Sequence, residues 1–403
     1  MREHSGKRTN VRADGVSRQC GESLRLPNRG ASGTLVPTQT TLEAAVNTLP
    51  QHAIHERHGA HFAPFAGWSM PIRYPLGVKG EHLHTRHQAG LFDVSHMRNL
   101  EVSGADAADL LARLCPYLPH DQAVGTAKYT FFLNDQAGIL DDLIVTRLSD
   151  DRFLVVANAA NADGDQRHLE THAQGLNVTI THVPRTFVAL QGPAAEAALA
   201  DVGLDLQSLA FMDATETDSG WFASRTGYTG EDGFEIGIPN DQATDFLDAL
   251  LADARVELAG LGARDSLRLE AALPLHGHDI DPDVTPLEAG LVWAIPKTIR
   301  SGGDYLGAAA LAALREAGKP RARAAFLPEG KAPVREGVRV LTEEGRDVGV
   351  ITSGGFSPVL ERPIALALIR HQPDLGPLHA ELRGRHIPLT PTKPPFVPHR
   401  FKR

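Results

Sequence analysis

Gly138-Ile139-Leu140-Asp141-Asp142-Leu143-Ile144-Val145-Thr146 is the stretch from which the rest of the chain is read. Leu143, Ile144 and Val145 form a short apolar run with two β-branched members, the pattern of a buried strand. Asn134-Asp135-Gln136-Ala137-Gly138, just before it, is a turn signal. Lys128-Tyr129-Thr130-Phe131-Phe132-Leu133 precedes the turn as a second apolar, aromatic run. Together they predict a β-hairpin with two adjacent carboxylates at the mouth of its second strand. A carboxylate buried there is costly unless a charge or a donor meets it. The plain alternative is a pair of solvated turn-end aspartates.

Around the hairpin the pattern is mixed. Ser103-Gly104-Ala105-Asp106 leads into a helical run, Ala107 to Cys115, which Pro116 stops. Phe153 to Ala157 reads as a buried strand ending at Asn158, with Asn161 and Asp163 capping the helix after it. Further back, Glu81 to Gln88 reads as a helix, and Phe62 to Ile72, dense in aromatics and breakers, as a structured loop. Leu91-Phe92-Asp93-Val94-Ser95-His96-Met97 invites a nucleophile reading. In a strand, though, Asp93 and Ser95 share one face and His96 the other, so no triad forms locally. Phe187 to Pro193 is a strand running into a helix start. This order is α+β rather than doubly wound.

The bulk numbers set limits. At 403 residues the chain is long enough for two or three domains. A net charge of −9 disfavours nucleic acid as the main partner. No apolar run reaches the roughly 18 residues of a membrane helix. Two cysteines, Cys20 and Cys115, are too few for a disulfide framework. His52, His55, His58 and His61 recur every three residues without ligand partners and read as a polar helix face rather than a metal site. Residues 1–40 are basic and lack apolar periodicity, the signature of a disordered tail or a start placed too far upstream. A transit peptide is the alternative. Thr41 to Ala45 can open a short helix.

Two more stretches carry chemistry. Thr226-Gly227-Tyr228-Thr229-Gly230-Glu231-Asp232-Gly233 lets the backbone come close to a ligand or bend sharply. It is not a dinucleotide fingerprint, because a strand follows it rather than a helix. Tyr228 offers a flat face, and Glu231 a carboxylate suited to paired N–H donors. Gly260 to Glu270 reads as a loop entering a helix; Arg264 near its start opposes the helix dipole and calls for an anionic partner. After Lys319-Pro320 come short strands punctuated by Gly and Pro: Ala322–Leu327, Gly337–Leu341, Val348–Thr352, Ile364–Ile369 and His379–Leu382. They predict a small all-β barrel or sandwich.

Six motifs in order then resemble one family. They are Phe92-Asp93-Val94-Ser95-His96-Met97, the Ile139–Val145 stretch, Thr226–Glu231, Gly262–Glu270, Gly349-Val350-Ile351-Thr352-Ser353-Gly354-Gly355-Phe356-Ser357-Pro358, and Thr392-Lys393-Pro394-Pro395-Phe396-Val397. From about His55 onward the chain resembles the aminomethyltransferases, the T-proteins of the glycine cleavage system. The resemblance implies an α+β, three-domain ring around a folate site. The folate-binding region would span 41–318 as two α+β subdomains and the C-terminal β-barrel domain 319–403. It implies transfer of the methylene carbon from the aminomethyl-lipoyl arm of the carrier H-protein to tetrahydrofolate, with release of ammonia and without a metal. By family position Asp141 is the central carboxylate, contacting the folate N10 region and assisting proton transfer, with Asp142 a like charge beside it. Glu231 would bind the amino edge of the pterin, with Tyr228 and Tyr129 around the ring and Asn158 lining the pocket. Arg264 matches a substrate-binding arginine, and Arg400 in the tail is a further candidate.

Three rivals share the scaffold. The folate-binding branch that assists iron–sulfur assembly carries a cysteine motif in its later half, whereas here no cysteine follows Cys115. Folate-dependent demethylases tend to lose parts of the Leu140-Asp141-Asp142 motif, which is intact. Flavin-linked oxidases need an N-terminal dinucleotide fold, for which residues 1–54 are too short. The expected partners are lipoylated H-protein and tetrahydrofolate, with neither nucleic acid nor membrane. The expected location is a bacterial cytoplasm, or the mitochondrial matrix if residues 1–40 are a transit peptide.

Overall fold

The computed structural model describes residues 46–372 and 374–402. The expectations for residues 1–40 and for a helix at Thr41–Ala45 lie outside them. The central hairpin forms as predicted, from Thr126–Leu133 and Ile139–Ser149. Its turn is held by the Asn134 side chain, whose Oδ1 accepts the Gln136 and Gly138 amides at 2.9 and 2.8 Å. A Cβ on Gly138 would lie 1.7 Å from the Pro282 carbonyl oxygen, so only glycine lets this turn seat against that segment.

The hairpin is the edge of a five-stranded antiparallel sheet that continues through Arg152–Ala157, Arg98–Ser103 and Thr179–His182. One face is covered by the helices Ala107–Leu114 and Ala162–His172, which bury Leu110, Leu111, Leu114 and Leu169 against Leu143, Val145 and Phe153. A second, six-stranded sheet pairs Thr186–Gln191 with Gly233–Ile238 on one side and Ala89–Asp93 on the other. The two sheets share a core. Leu154 and Val156 meet Phe92, Phe187 and Phe222, and the helix Leu261–Glu270 adds Ala263 and Leu267. That helix therefore sits where the sheets converge. Among the described residues no helix is long and apolar enough to cross a membrane.

The C-terminal strands close into a six-stranded barrel. Five match the predicted runs. The sixth, Arg385–Thr392, pairs with both Leu378–Leu382 and Arg321–Pro328 and completes the closure. Pro388 and Pro391 hide it in the sequence, since each removes a ladder donor. The barrel docks through Ala325, Ile364 and Leu366 onto Leu269 and Ala272 at the end of the helix Leu261–Glu270.

Other expectations need correction. The Phe62–Ile72 segment is a hairpin, not a loop: His61–Phe65 pairs with Trp68–Arg73 around a two-residue turn at Ala66 and Gly67. Both turn residues have positive φ (47° and 80°), the geometry that matches strand twist. The helix read from Glu81 begins at Gly77. The histidine repeat is not one polar face, because the helix covers only His52–Arg57 and His55 is buried. His55 Nε2 donates to Asp93 Oδ2 at 2.8 Å, and the Tyr74 hydroxyl donates to His55 Nδ1 at 2.9 Å. Asp93 also accepts the Ser95 amide at 2.8 Å. Burial pushes the Asp93 carboxyl up; His55 and Ser95 outweigh it and hold the group below its usual range.

Candidate active site

The two carboxylates of the opening stretch are anchored differently. Asp141 is fully buried and Asp142 half-buried. The hairpin register places Asp142 opposite Phe131 and Tyr129 opposite Ile144, so Tyr129 and Asp142 are diagonal neighbours on one face. The Tyr129 hydroxyl donates to Asp142 Oδ2 at 2.9 Å. Trp293 stacks on Tyr129 with centroids 5.7 Å apart, and is itself 65% exposed. Burial and then the charge of Asp141 push the Asp142 carboxyl up to about 6, against the Tyr129 bond.

Asp141 points toward the end of the neighbouring strand. Its Oδ2 accepts the Asn158 amide at 3.0 Å, and its Oδ1 accepts Asn158 Nδ2 at 2.9 Å and Asn161 Nδ2 at 2.6 Å. Asn158 Nδ2 also reaches Asp142 Oδ1 at 3.0 Å, so one amide bridges both carboxylates. Asn161 occupies the helix N-cap position, as its sequence suggests, yet makes no capping bond. Its amide donates instead to Asp141 and to His276 Nδ1 at 2.9 Å, while His276 Nε2 donates to the Ile139 carbonyl at 3.1 Å. Asp163, read as the other cap, pairs with Arg98 at 2.6 Å. A third carboxyl, Asp165 on the same helix, is buried beside Asp141.

The Gly-rich loop brings the second group. The Tyr228 hydroxyl donates to the Pro274 carbonyl, and its ring lies 4.7 Å below the Arg264 guanidinium. Tyr228 is within electrostatic reach of Asp142, which joins the loop to the carboxylate cluster. Arg264 contrasts with the buried Arg86 and Arg268, each paired with a carboxylate. It forms no salt bridge among the described residues; its polar neighbour is Met97 Sδ at 4.0 Å. Burial pulls its pKa below the ordinary arginine value. Glu235 lies within its electrostatic reach, but among the described residues no internal carboxylate comes within salt-bridge distance of it. The neighbouring His96 is buried with Nδ1 unpartnered, and burial with the Arg264 charge pulls it down to about 4.

Glu231 is buried and already paired. Arg86 donates to its Oε1 at 2.8 Å, and Arg400 lies 3.3 Å from the same oxygen. No donor reaches Oε2 among the described residues. Arg86 also holds the Thr229 carbonyl at 2.9 Å and Glu270 at 2.8 Å, so it fixes the loop against two helices. Glu270 in turn accepts His82 at 3.0 Å and the Ser357 hydroxyl at 2.5 Å. Burial pushes the Glu270 carboxyl up, and His82, Ser357 and Arg86 together bring it down to about 2. The polar residues of the 349–358 motif thus anchor the barrel. Thr352 and Ser353 hold Asp279, at 2.5 and 2.8 Å, and Arg268 binds the same carboxylate at 2.7 Å.

The structure therefore gathers Asp141, Asp142, Asn158 and Tyr129 in one cluster, links it through Tyr228 to Arg264, and sets Glu231 and Arg400 on the far side of the loop. Asn161, Asp165, His276, Arg86 and Arg323 were missed. Arg323 Nη1 is buried without a partner, and Tyr129 and Tyr228 lie within its electrostatic reach. Only Asn161 carried a sequence signal, and that signal was the wrong one.

Buried carboxylates, side-chain amide donors, aromatic faces and an arginine without a salt bridge thus come together in one part of the fold. Residues 51–298 match the GCVT N-terminal domain, and residues 321–398 the glycine cleavage T-protein C-terminal barrel domain. The mitochondrial aminomethyltransferase of Flaveria trinervia is 38% identical over 95% of this chain and 98% of its own length. The aminomethyltransferase of Deinococcus deserti is 40% identical over 89% of this chain and 99% of its own length. The crystal structure of the glycine cleavage system aminomethyltransferase T from Bartonella henselae superposes with a TM-score of 0.87 at 46% identity, covering 89% of this chain and all of that one. The chain belongs to the glycine cleavage T-protein family. It is an aminomethyltransferase.

Proposed function

We propose that the chain moves the methylene carbon of an aminomethyl-lipoyl H-protein to tetrahydrofolate. The products are ammonia, 5,10-methylenetetrahydrofolate and dihydrolipoyl H-protein. Two N–H hydrogens leave the folate; one departs with ammonia and one ends on the lipoyl sulfur. The observation that carries this reading is that buried Asp141 accepts three N–H donors. A carboxylate so held is a fixed negative charge, suited to the cationic, iminium-like centre that develops as ammonia departs. Asp142 beside it, with a carboxyl near 6, can hold or release a proton near neutral pH.

The remaining residues position the reactants. Glu231 Oε2 meets paired N–H donors on the pterin, Tyr129 and Tyr228 supply ring faces, and Arg264 takes a substrate carboxylate. We assign the chain to a bacterial cytoplasm on its alanine-rich composition and weak transit features. Mitochondrial import is the alternative that the amino-terminal sequence of the mature protein decides.

The test is single-turnover ammonia release from aminomethyl-lipoyl H-protein, with and without tetrahydrofolate, for wild type and Asp141→Asn. The expected result is folate-dependent release that drops about 100-fold or more in the variant. Unchanged release in Asp141→Asn removes Asp141 from the centre. Absent release by wild type, despite folate binding, removes the reaction.

A further inference from the structure

The cluster around Asp141 holds one carboxyl that the reaction outlined above leaves unused. Asp165 is 3% exposed, and its Oδ2 meets no donor among the described residues. It lies one helical turn beyond Asn161, its amide donating to the Asn161 carbonyl at 2.9 Å, and Asn161 Nδ2 reaches Asp141 at 2.6 Å; the two carboxyls are thereby brought within hydrogen-bonding reach. The groups around it are Asp141 and Asp142 from the hairpin strand, the Cys115 thiol at the end of the helix Ala107–Leu114, and Arg98 from the strand Arg98–Ser103. His168 lies one turn further along its own helix. Arg98 is the one cation in this set, and it is spent elsewhere: Nη1 donates to Asp163 at 2.6 Å and to Gln166 at 3.2 Å.

Two carboxylates in contact, one without a donor, repel each other in a medium that screens poorly. A buried acid in that position takes a proton rather than stay charged. We propose that Asp165 is a positioning residue whose carboxyl keeps a proton through the working pH range and donates it to Asp141 as a fourth hydrogen bond. Burial, then the charge of Asp141 and the bond to it, hold the Asp165 carboxyl well above the usual range, which agrees with this assignment. The fourth donor fixes the Asp141 carboxylate in orientation. The catalytic consequence rests on the reading of Asp141 given under the proposed function; the proton itself does not.

The test begins with thermal unfolding of wild type and Asp165→Asn from about pH 5.5 to about pH 8. An unfolded aspartate releases its proton near pH 4. The folded state then binds one proton more than the unfolded state, so this group makes wild-type stability fall as pH rises. Asparagine has no such proton, so the variant is expected to gain steadily on wild type across the range. The second measurement is infrared at about pH 8, above the Asp142 transition. Wild type is expected to carry a protonated carboxylic acid band that Asp165→Asn lacks. Third, asparagine retains an N–H donor for Asp141 and leucine does not, so Asp165→Asn is expected to keep at least about tenfold more kcat than Asp165→Leu.

A melting difference that stays constant with pH, or an acid band that survives in Asp165→Asn, overturns the proposal. If Asp165→Leu does not fold, the two measurements on the asparagine variant decide. Neither uses substrate, so a failed transfer reaction is not mistaken for a failed proton assignment.

Discussion

Replacing Tyr129 by phenylalanine removes one hydroxyl from the site and leaves the ring stacked on Trp293. The lost bond, 2.9 Å to Asp142 Oδ2, favours the charged form of that carboxylate. Without it the Asp142 pKa rises from its value of about 6. A hydrogen bond to a charged group is worth roughly 1.5–3 kcal/mol. At about 1.4 kcal/mol per pKa unit this is a shift of about one to two units. If Asp142 must be ionised for turnover, the acid limb of kcat moves from about pH 6 to between about 7 and 8. The variant then loses roughly ten- to a hundredfold below the wild-type limb and approaches wild type above pH 9. The assay is steady-state ammonia release over that range, with stability followed at each pH. A limb that stays in place, or moves to lower pH, refutes the role given to Asp142. A uniform loss at every pH assigns Tyr129 to binding instead.

Two further outcomes follow from the charge pairing. Arg86→Met removes the buried cation shared by Glu231 and Glu270, leaving Arg400 to the first and His82 to the second, and is expected to cost about 3–5 kcal/mol in urea unfolding; adding Glu231→Gln in the same chain restores part of it. Arg264→Met is expected to leave the unfolding free energy within about 1 kcal/mol, because no internal salt bridge is lost. The same change should raise the folate KM by about ten- to a hundredfold, the cost of one charged hydrogen bond.

Local rules reached the hairpin because its turn, its apolar run and its register all agree over some twenty residues. Five barrel strands were legible for the same reason. The sixth was not, since Pro388 and Pro391 argue against a strand wherever barrel closure is out of view. The site divides along the same line. Tyr228 and Glu231 stood out by type and setting, whereas Asp141, alone on its stretch, read as well as a turn-end aspartate and was singled out only by the family resemblance. Asn161 satisfied the local rule for a helix cap, and a contact 20 residues away in sequence took its side chain instead. Arg86 gave no signal, because the carboxylates that explain it lie 145 and 184 residues further on. Asp165 looked like any acid in a first helical turn until the strand packed beside it was known.

The tail has a bearing on how the protein is made. Phe401 stacks on Phe211 with centroids 4.1 Å apart, His399 Nε2 donates to the Ala271 carbonyl at 2.9 Å, and the Arg400 amide donates to the Gly230 carbonyl at 2.8 Å. The loop bearing Glu231 is thus clasped by residues that leave the ribosome some 170 positions after it. During synthesis the loop is held first by Arg86, by Gln191 and by the Tyr228 bond to the Pro274 carbonyl, and it acquires its last contacts only after the barrel has emerged. A purification tag fused directly behind Arg403 would press on the same clasp.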